Sequence, residues 1–160
     1  MRDIVVPLTT NFRMLPDNTA KAKRVTDAIR EVQQHGTNAF IEPVIVDVAA
    51  SDKFATFRVA EVPSITKSRG SAKQSYWCST KGGHLTVTEL AMLQGFSRDY
   101  IEGIKADLNK SDNIIGGCVG NAQTLPLLAD LIAHVLYMSK TITKEQFVLM
   151  KLNVEKMKPF

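Results

Sequence analysis

The residues best suited to chemistry lie in one basic segment near the middle of the chain. Over residues 62–88 there are four basic residues and no acidic one, while the 16 other Lys and Arg residues balance the 16 Asp and Glu residues. The net charge of +4 therefore comes from this segment. Its composition favours a nucleic-acid contact, because ammonium and guanidinium groups bind phosphates. Scattered lysines on a solvated loop would give the same composition. The four basic residues are Lys67, Arg69, Lys73 and Lys81.

Two aromatic residues, Tyr76 and Trp77, lie inside the same segment. Aromatic rings can stack on bases, but large aromatic side chains are usually buried. We therefore expect at least one of the two rings to belong to the core.

The two cysteines do not indicate a catalytic or metal site. Cys78 lies in Trp-Cys-Ser and Cys118 in Gly-Cys-Val, without a nearby basic group that would stabilise a thiolate and without zinc-site spacing. We expect two small packed residues, no catalytic residue and no metal ligand. Sparse cysteine predicts a reducing intracellular location, in the nucleus or the cytoplasm. No apolar run is long enough to predict a membrane span or a membrane partner.

A short capped helix follows the basic segment and would position it. Thr86 and Glu89 have the spacing of a capping box, in which each side chain bonds the backbone of the other. Leu90 and Leu93 form one apolar face, and Gly95 permits the left-handed conformation that commonly ends a helix.

Apolar periodicity predicts the other elements of the chain. A helix that begins after Thr124, with Pro126 in its first turn, is expected to bury one apolar stripe. Thr143 and Gln146 form a second capping box at the start of a C-terminal helix. Further helices are predicted at Thr19–Gln34 and 98–109, strands at 4–6, 43–48, 62–66 and 75–79, a glycine-rich connection at 114–121, and the buried stripe at Leu128, Leu131, Ile132 and Val135.

Three blocks of this sequence, in the same order, resemble blocks of the DNA (cytosine-5) methyltransferases. Pro-Ser-Ile-Thr-Lys-Ser-Arg-Gly at 63–70, followed by Tyr-Trp at 76–77, is similar to the entry to that family's target recognition domain. Leu-Thr-Val-Thr-Glu-Leu-Ala-Met-Leu-Gln-Gly-Phe at 85–96 resembles the block that joins this domain to the last catalytic-domain helix. Val-Gly-Asn-Ala-Gln-Thr-Leu-Pro, which begins the block at 119–132, resembles the closing Gly-Asn helix.

The resemblance implies an α+β fold in three parts. These are an N-terminal segment with one helix at 1–42, a small recognition lobe of mixed or antiparallel strands at 43–97, and a helical part at 98–160. The C-terminal helices would pack on a Rossmann-like methyltransferase domain that this chain lacks.

The resemblance also implies two groups of site residues. Asn121 and Ala122, at the start of the last helix, would border a pocket for S-adenosylmethionine. In the other group, Arg69 suits guanine edges, and Lys67 and Ser68 suit phosphates. This DNA-contacting group comprises Thr66, Lys67, Ser68, Arg69, Gly70, Lys73, Gln94 and Gly95.

The catalytic blocks of that family have no counterpart in this sequence. It contains no Pro-Cys nucleophile, no Glu-Asn-Val glutamate, no Phe-x-Gly-x-Gly cofactor loop and no Gln-x-Arg-x-Arg strand. Within the matching blocks, two usual arginines are absent: Gly83 and His84 precede Leu-Thr where one is usual, and Met92 takes the place of the other. Ser97 stands where a proline is common, and Gln123 replaces an apolar residue.

Three hypotheses follow from this pattern. The chain could be the recognition half of a split methyltransferase, with a partner chain that supplies the missing blocks, S-adenosylmethionine as cofactor and double-stranded DNA as substrate. It could instead be a DNA-binding module without catalysis, or a structural subunit of a larger assembly.

Overall fold

The computed structural model of the protein describes residues 16, 18–51, 56–70, 74–108 and 111–157. The strand predicted at 4–6 lies outside them. The fold is α+β, as predicted, with a four-stranded antiparallel sheet in the order β2-β1-β3-β4. The strands are β1 Val44–Asp47, β2 Phe57–Val59, β3 Tyr76–Cys78 and β4 Gly83–His84. The helices are α1 Thr19–Gln34, α2 Lys67–Gly70, α3 Val87–Leu93, α4 Arg98–Leu108, α5 Asp112–Asn121, α6 Leu125–Met138 and α7 Lys144–Met157.

The two faces of the sheet bury two separate apolar clusters. Successive strand residues point to opposite faces, so Val44 and Val46 of β1 lie on one face and Ile45 lies on the other. Helix α1 covers the first face with Val25, Ala28 and Val32, which recur at helical spacing. Helices α3, α4 and α5 cover the second face, where they bury Leu90, Ala91, Ile101, Ile115 and Val119 against Ile45, Tyr76 and Cys78.

The local signals in the sequence are confirmed. Helix α1 has both predicted bounds, with Asn18 as its N-cap. The backbone N–H of Thr86 donates to Glu89 Oε2 at 2.6 Å, and the N–H of Glu89 donates to Thr86 Oγ1 at 3.2 Å. Gly95 has φ +92°, as a helix-ending residue should. The capping box of Thr143 and Gln146 also forms.

Several predictions are wrong. Residues 62–66 form no strand, and the predicted connection at 114–121 is helix α5. Asn121 therefore ends α5. It does not begin α6, the helix that resembles the family's closing helix, because α6 starts at Leu125. Cys118, predicted to be packed, is exposed. The expectation that at least one of Tyr76 and Trp77 is buried is confirmed, since both are.

The stripe predicted to be buried on α6 is uncovered in the described structure. Leu128, Leu131, Ile132 and Val135 are 38%, 59%, 45% and 58% exposed. Helical periodicity had placed them correctly on one face, but nothing in the described chain packs against that face. No helix among the described residues is long and apolar enough to cross a membrane.

Candidate functional site

The single-turn helix α2 carries half of the predicted DNA-contacting group. Thr66, Lys67 and Ser68 are exposed, and the Thr66 and Ser68 hydroxyl oxygens lie 3.2 Å apart. Gly70, at the other end of the turn, is buried. Lys73 lies outside the described residues. Among the described members of the group, only Thr66, Lys67 and Ser68 are therefore exposed.

Arg69 is held in an ion pair inside the fold. Its Nε donates to Asp47 Oδ2 at 2.9 Å, and the two side chains are only 27% and 11% exposed. The second oxygen of Asp47 accepts the backbone N–H groups of Ala49 at 3.1 Å and Ala50 at 3.0 Å. The predicted reader of guanine edges thus ties α2 to the end of β1.

Lys81 is paired in the same way. Its Nζ lies 2.5 Å from Glu89 Oε2, and the Glu89 side chain is 2% exposed. This carboxylate therefore serves the capping box of α3 and neutralises a lysine. Of the three basic residues of segment 62–88 that the structure describes, Lys67 alone has no carboxylate partner in the described part of the chain. The positive field expected from the sequence is correspondingly smaller.

Tyr76 and Trp77 belong to the core and offer no ring to a base. Both lie on β3, on opposite faces of the sheet, and are 0% and 3% exposed. The Tyr76 hydroxyl donates to the carbonyl oxygen of Ser64 at 2.8 Å. Burial, followed by the nearby negative charge of Asp47, raises the pKa of Tyr76 well above its usual value. The Tyr76 side chain therefore stabilises the segment that leads into α2.

Gln94 and Gly95, also predicted to contact DNA, determine where α6 begins. Gln94 is 7% exposed; its Oε1 accepts the Thr124 hydroxyl at 2.7 Å and its carbonyl oxygen accepts the Leu125 N–H at 2.8 Å. A Cβ on Gly95 would lie 2.7 Å from Cδ of Pro126. Sequence reasoning missed this role, because residues some 30 positions apart give no periodic signal.

A glycine contact brings the two predicted groups of site residues together. A Cβ on Gly70 would lie 2.0 Å from the Gly116 carbonyl oxygen, and one on Gly120 would lie 2.2 Å from the Thr66 carbonyl oxygen. The backbones of α2 and α5 therefore touch. Helix α5 ends at Asn121, which is exposed, and Ala122, which follows it, is partly buried.

The described residues provide no metal centre, since no cluster of three or more His, Cys, Asp or Glu side chains among them could hold an ion. A groove of 180 Å³ lies on the other face of the sheet, between α1 and β2. It is lined by Lys23, Arg24, Asp27, Ala28, Glu31, Val46, Thr56 and Phe57, none of which belongs to the predicted site.

Helices α6 and α7 form a pair whose inner side is well packed. His134 and Tyr137 of α6 contact the Phe147 ring of α7, with centroids 5.1 and 4.7 Å away, and Lys151 pairs with Asp130. The opposite side of α6 carries the uncovered α6 stripe, which we define as Leu127, Leu128, Leu131, Ile132, Val135 and Met138. This stripe contains no charged residue.

The chain matches no protein-family model, and neither a curated protein nor a solved structure is significantly similar to it.

Proposed function

We propose that this chain is the target-recognition subunit of a split DNA (cytosine-5) methyltransferase, inactive alone. It would contact the DNA and close the cofactor pocket. A partner chain with a Rossmann-like domain would supply the S-adenosylmethionine loop, the cysteine nucleophile and the glutamate that holds the base. The reaction would flip a cytosine out of the duplex, and the partner's cysteine thiolate would add to C6, which makes C5 the nucleophile. Carbon C5 would take the methyl group of S-adenosylmethionine and release S-adenosylhomocysteine, and loss of the C5 proton with expulsion of the thiolate from C6 would complete the reaction.

The observation that carries this proposal is the uncovered α6 stripe. It lies on the helix that resembles the closing helix of the family, whose packing surface would be the domain missing here. Its six side chains are all apolar and are 38–78% exposed, so the stripe is available to a partner. A row of exposed apolar side chains on a soluble protein is typical of an interaction site.

The arrangement of the three blocks supports the same proposal. The contact of Gly70 with α5 places Thr66 and Lys67 beside the end of α5, where Asn121 is exposed. Gln94 fixes the start of α6, which follows Asn121 and Ala122 along the chain. One surface of this chain could therefore present DNA contacts and pocket-closing residues to one partner.

The test is reconstitution. A tagged chain should co-purify, from cells that contain it naturally, with a protein that carries the missing blocks. Each purified chain alone should transfer no methyl group from S-adenosylmethionine to duplex DNA, and the mixture should do so. Replacing Leu131 and Val135 by Glu should abolish co-purification and activity, since charges would then enter the interface.

The matched control is Val148→Glu, which places a charge at a side chain of similar exposure on α7. It should leave both readouts unchanged. If the wild-type chain captures a protein with the missing blocks and the mixture never methylates DNA, the methyltransferase proposal is wrong.

A second function is favoured by the ion pairs of Arg69 and Lys81. Because these two cations are already neutralised by Asp47 and Glu89, the chain has fewer charges to offer to phosphates. This small number of available charges is sufficient for a non-catalytic subunit that has a structural or a weak DNA-binding role in a larger assembly. Co-purification with a protein that lacks all methyltransferase blocks would support this function.

A further inference from the structure

We infer that two basic residues of the DNA-contacting segment 66–70 have different roles. Arg69 is a positioning residue that holds α2, and Lys67 makes a phosphate contact. The segment would then bind the DNA backbone and would not read guanine. This inference rests on the proposed function, because it concerns how that site meets DNA.

Arg69 is mostly enclosed in the fold, which opposes insertion of its guanidinium group into a DNA groove. A specific guanine contact uses two parallel donors of a guanidinium group inserted into the major groove. In this chain Nε bonds Asp47, and the arginine side chain is 27% exposed. Withdrawing Arg69 would leave Asp47, which is 11% exposed, without its cation. Removing one partner of a shielded ion pair is strongly unfavourable, so Arg69 stays with Asp47.

The surroundings of α2 fit an anchoring role for Arg69. On the sheet side, Arg69 bonds Asp47, and the Tyr76 hydroxyl bonds the carbonyl of Ser64 just before the turn. On the other side, Gly70 meets the backbone of α5 without any intervening side chain. The turn is therefore held between the sheet and α5, and its exposed residues keep a fixed position.

Lys67 is the residue that this anchoring presents. Its side chain is exposed, and its Cγ lies 3.9 Å from the position of a Cβ on Gly117 of α5. It has no carboxylate partner in the described chain. A lysine ammonium acts as a point charge on phosphates without geometric readout of bases. The neighbouring hydroxyls of Thr66 and Ser68 are suited to the same backbone contact.

The experiment measures binding of the full-length chain to short DNA duplexes with a randomised centre, over a range of salt concentrations. Lys67→Ala should weaken binding to all duplexes equally and reduce the slope of log K against log salt by about 0.9. Lys23→Ala is the matched control, because Lys23 is an exposed lysine on α1, across the sheet, and should leave the slope unchanged.

The Arg69→Lys variant distinguishes guanine recognition by Arg69 from its role in holding α2. A lysine can keep the charge pairing with Asp47 but cannot make the bidentate guanine contact. We expect an unchanged ranking of duplexes and a small decrease in Tm. Arg69→Gln and Asp47→Asn should each lower Tm by several degrees, and the double variant should lose much less than the two losses combined.

Three results would overturn the inference. One is an Arg69→Lys variant that keeps its Tm but no longer ranks the duplexes as the wild type does. Another is a Lys67→Ala variant with the wild-type salt slope. The third is absence of salt-dependent DNA binding by the wild-type chain. This third result would also contradict DNA contact in the proposed function, whereas the first two results contradict only the inference. Failure of the inference can therefore be distinguished from failure of the proposed function.

Discussion

At the residue scale, two buried carboxylates organise the basic segment. Asp47 forms an ion pair with Arg69, and Glu89 forms an ion pair with Lys81. The Thr86–Glu89 pairing is predictable, because capping boxes depend on residues three positions apart. The pairing of Arg69 with Asp47 is not, because 22 residues separate them and only the antiparallel pairing of β1 with β3 brings them close.

Tyr76 gives a testable pH dependence. The pKa of its hydroxyl is raised in the folded state by burial and then by Asp47, whereas an unfolded tyrosine ionises near pH 10. Above about pH 10 the folded state therefore binds more protons than the unfolded state, and stability should fall as pH rises. Tyr76→Phe should cost about 1 kcal/mol at neutral pH, for the lost hydrogen bond to Ser64.

Urea unfolding between about pH 7 and pH 11 checks this prediction, since the free energies of wild type and Tyr76→Phe should converge as pH rises. Tyr100→Phe, at a ring that is 57% exposed, should keep the wild-type alkaline decline. A constant difference between wild type and Tyr76→Phe over this range would show that Tyr76 does not cause the decline.

At the element scale, α5 shows how packing can override local preference. Its sequence Asp-Asn-Ile-Ile-Gly-Gly-Cys-Val-Gly-Asn contains three glycines, which disfavour a helix by up to about 1 kcal/mol each relative to alanine. The helix forms because Ile115 and Val119 are buried, and because the absence of a side chain at Gly120, and at Gly70 of α2, allows the two backbones to approach. Neither reason is visible from periodicity over so short a run.

Substitution of two glycines tests this explanation. A Cβ on Gly120 would meet backbone atoms of Thr66 and Lys67 at 2.2–2.7 Å, so Gly120→Ala should destabilise the fold by about 2–3 kcal/mol. Gly103 of α4 has nothing within 4 Å of its Cβ position, and Gly103→Ala should stabilise by about 0.5–1 kcal/mol. Chemical denaturation measures both free energies of unfolding. Equal effects of the two changes would contradict the close approach of α2 and α5.

At the scale of the whole molecule, the sheet with its two covered faces contrasts with the pair α6–α7. Both apolar clusters lie around the sheet, whereas α6 contributes mainly Pro126 and Ala133 to buried surface. The heptad-like spacing of Leu128, Leu131, Val135 and Met138 is typical of a helix that packs on a partner helix or domain. In the described chain, the apolar residues around the sheet are buried, whereas this face of α6 is exposed.

The isolated chain should therefore associate with itself. Light scattering should show a molecular mass that rises with protein concentration, because a large uncharged apolar patch promotes association. Changing Leu131 and Val135 to Glu should keep the mass at the monomer value and alter the free energy of unfolding by less than about 0.5 kcal/mol, since both side chains are exposed. Val148→Glu should not prevent association. A wild-type chain that stays monomeric at high concentration would argue against an adhesive stripe.

The sequence alone determined the features that depend on neighbours a few residues apart. These are the bounds of α1, the two capping boxes, the helix end at Gly95 and the grouping of the α6 stripe on one face. Tertiary structure decided which charges are neutralised, which glycines allow helices to touch, and which apolar face is left without cover. The physical reason is that caps and periodicity arise from local backbone geometry, whereas Arg69–Asp47, Gly120–Thr66 and Gln94–Thr124 join residues 22 or more positions apart that meet only after the sheet and helices have packed.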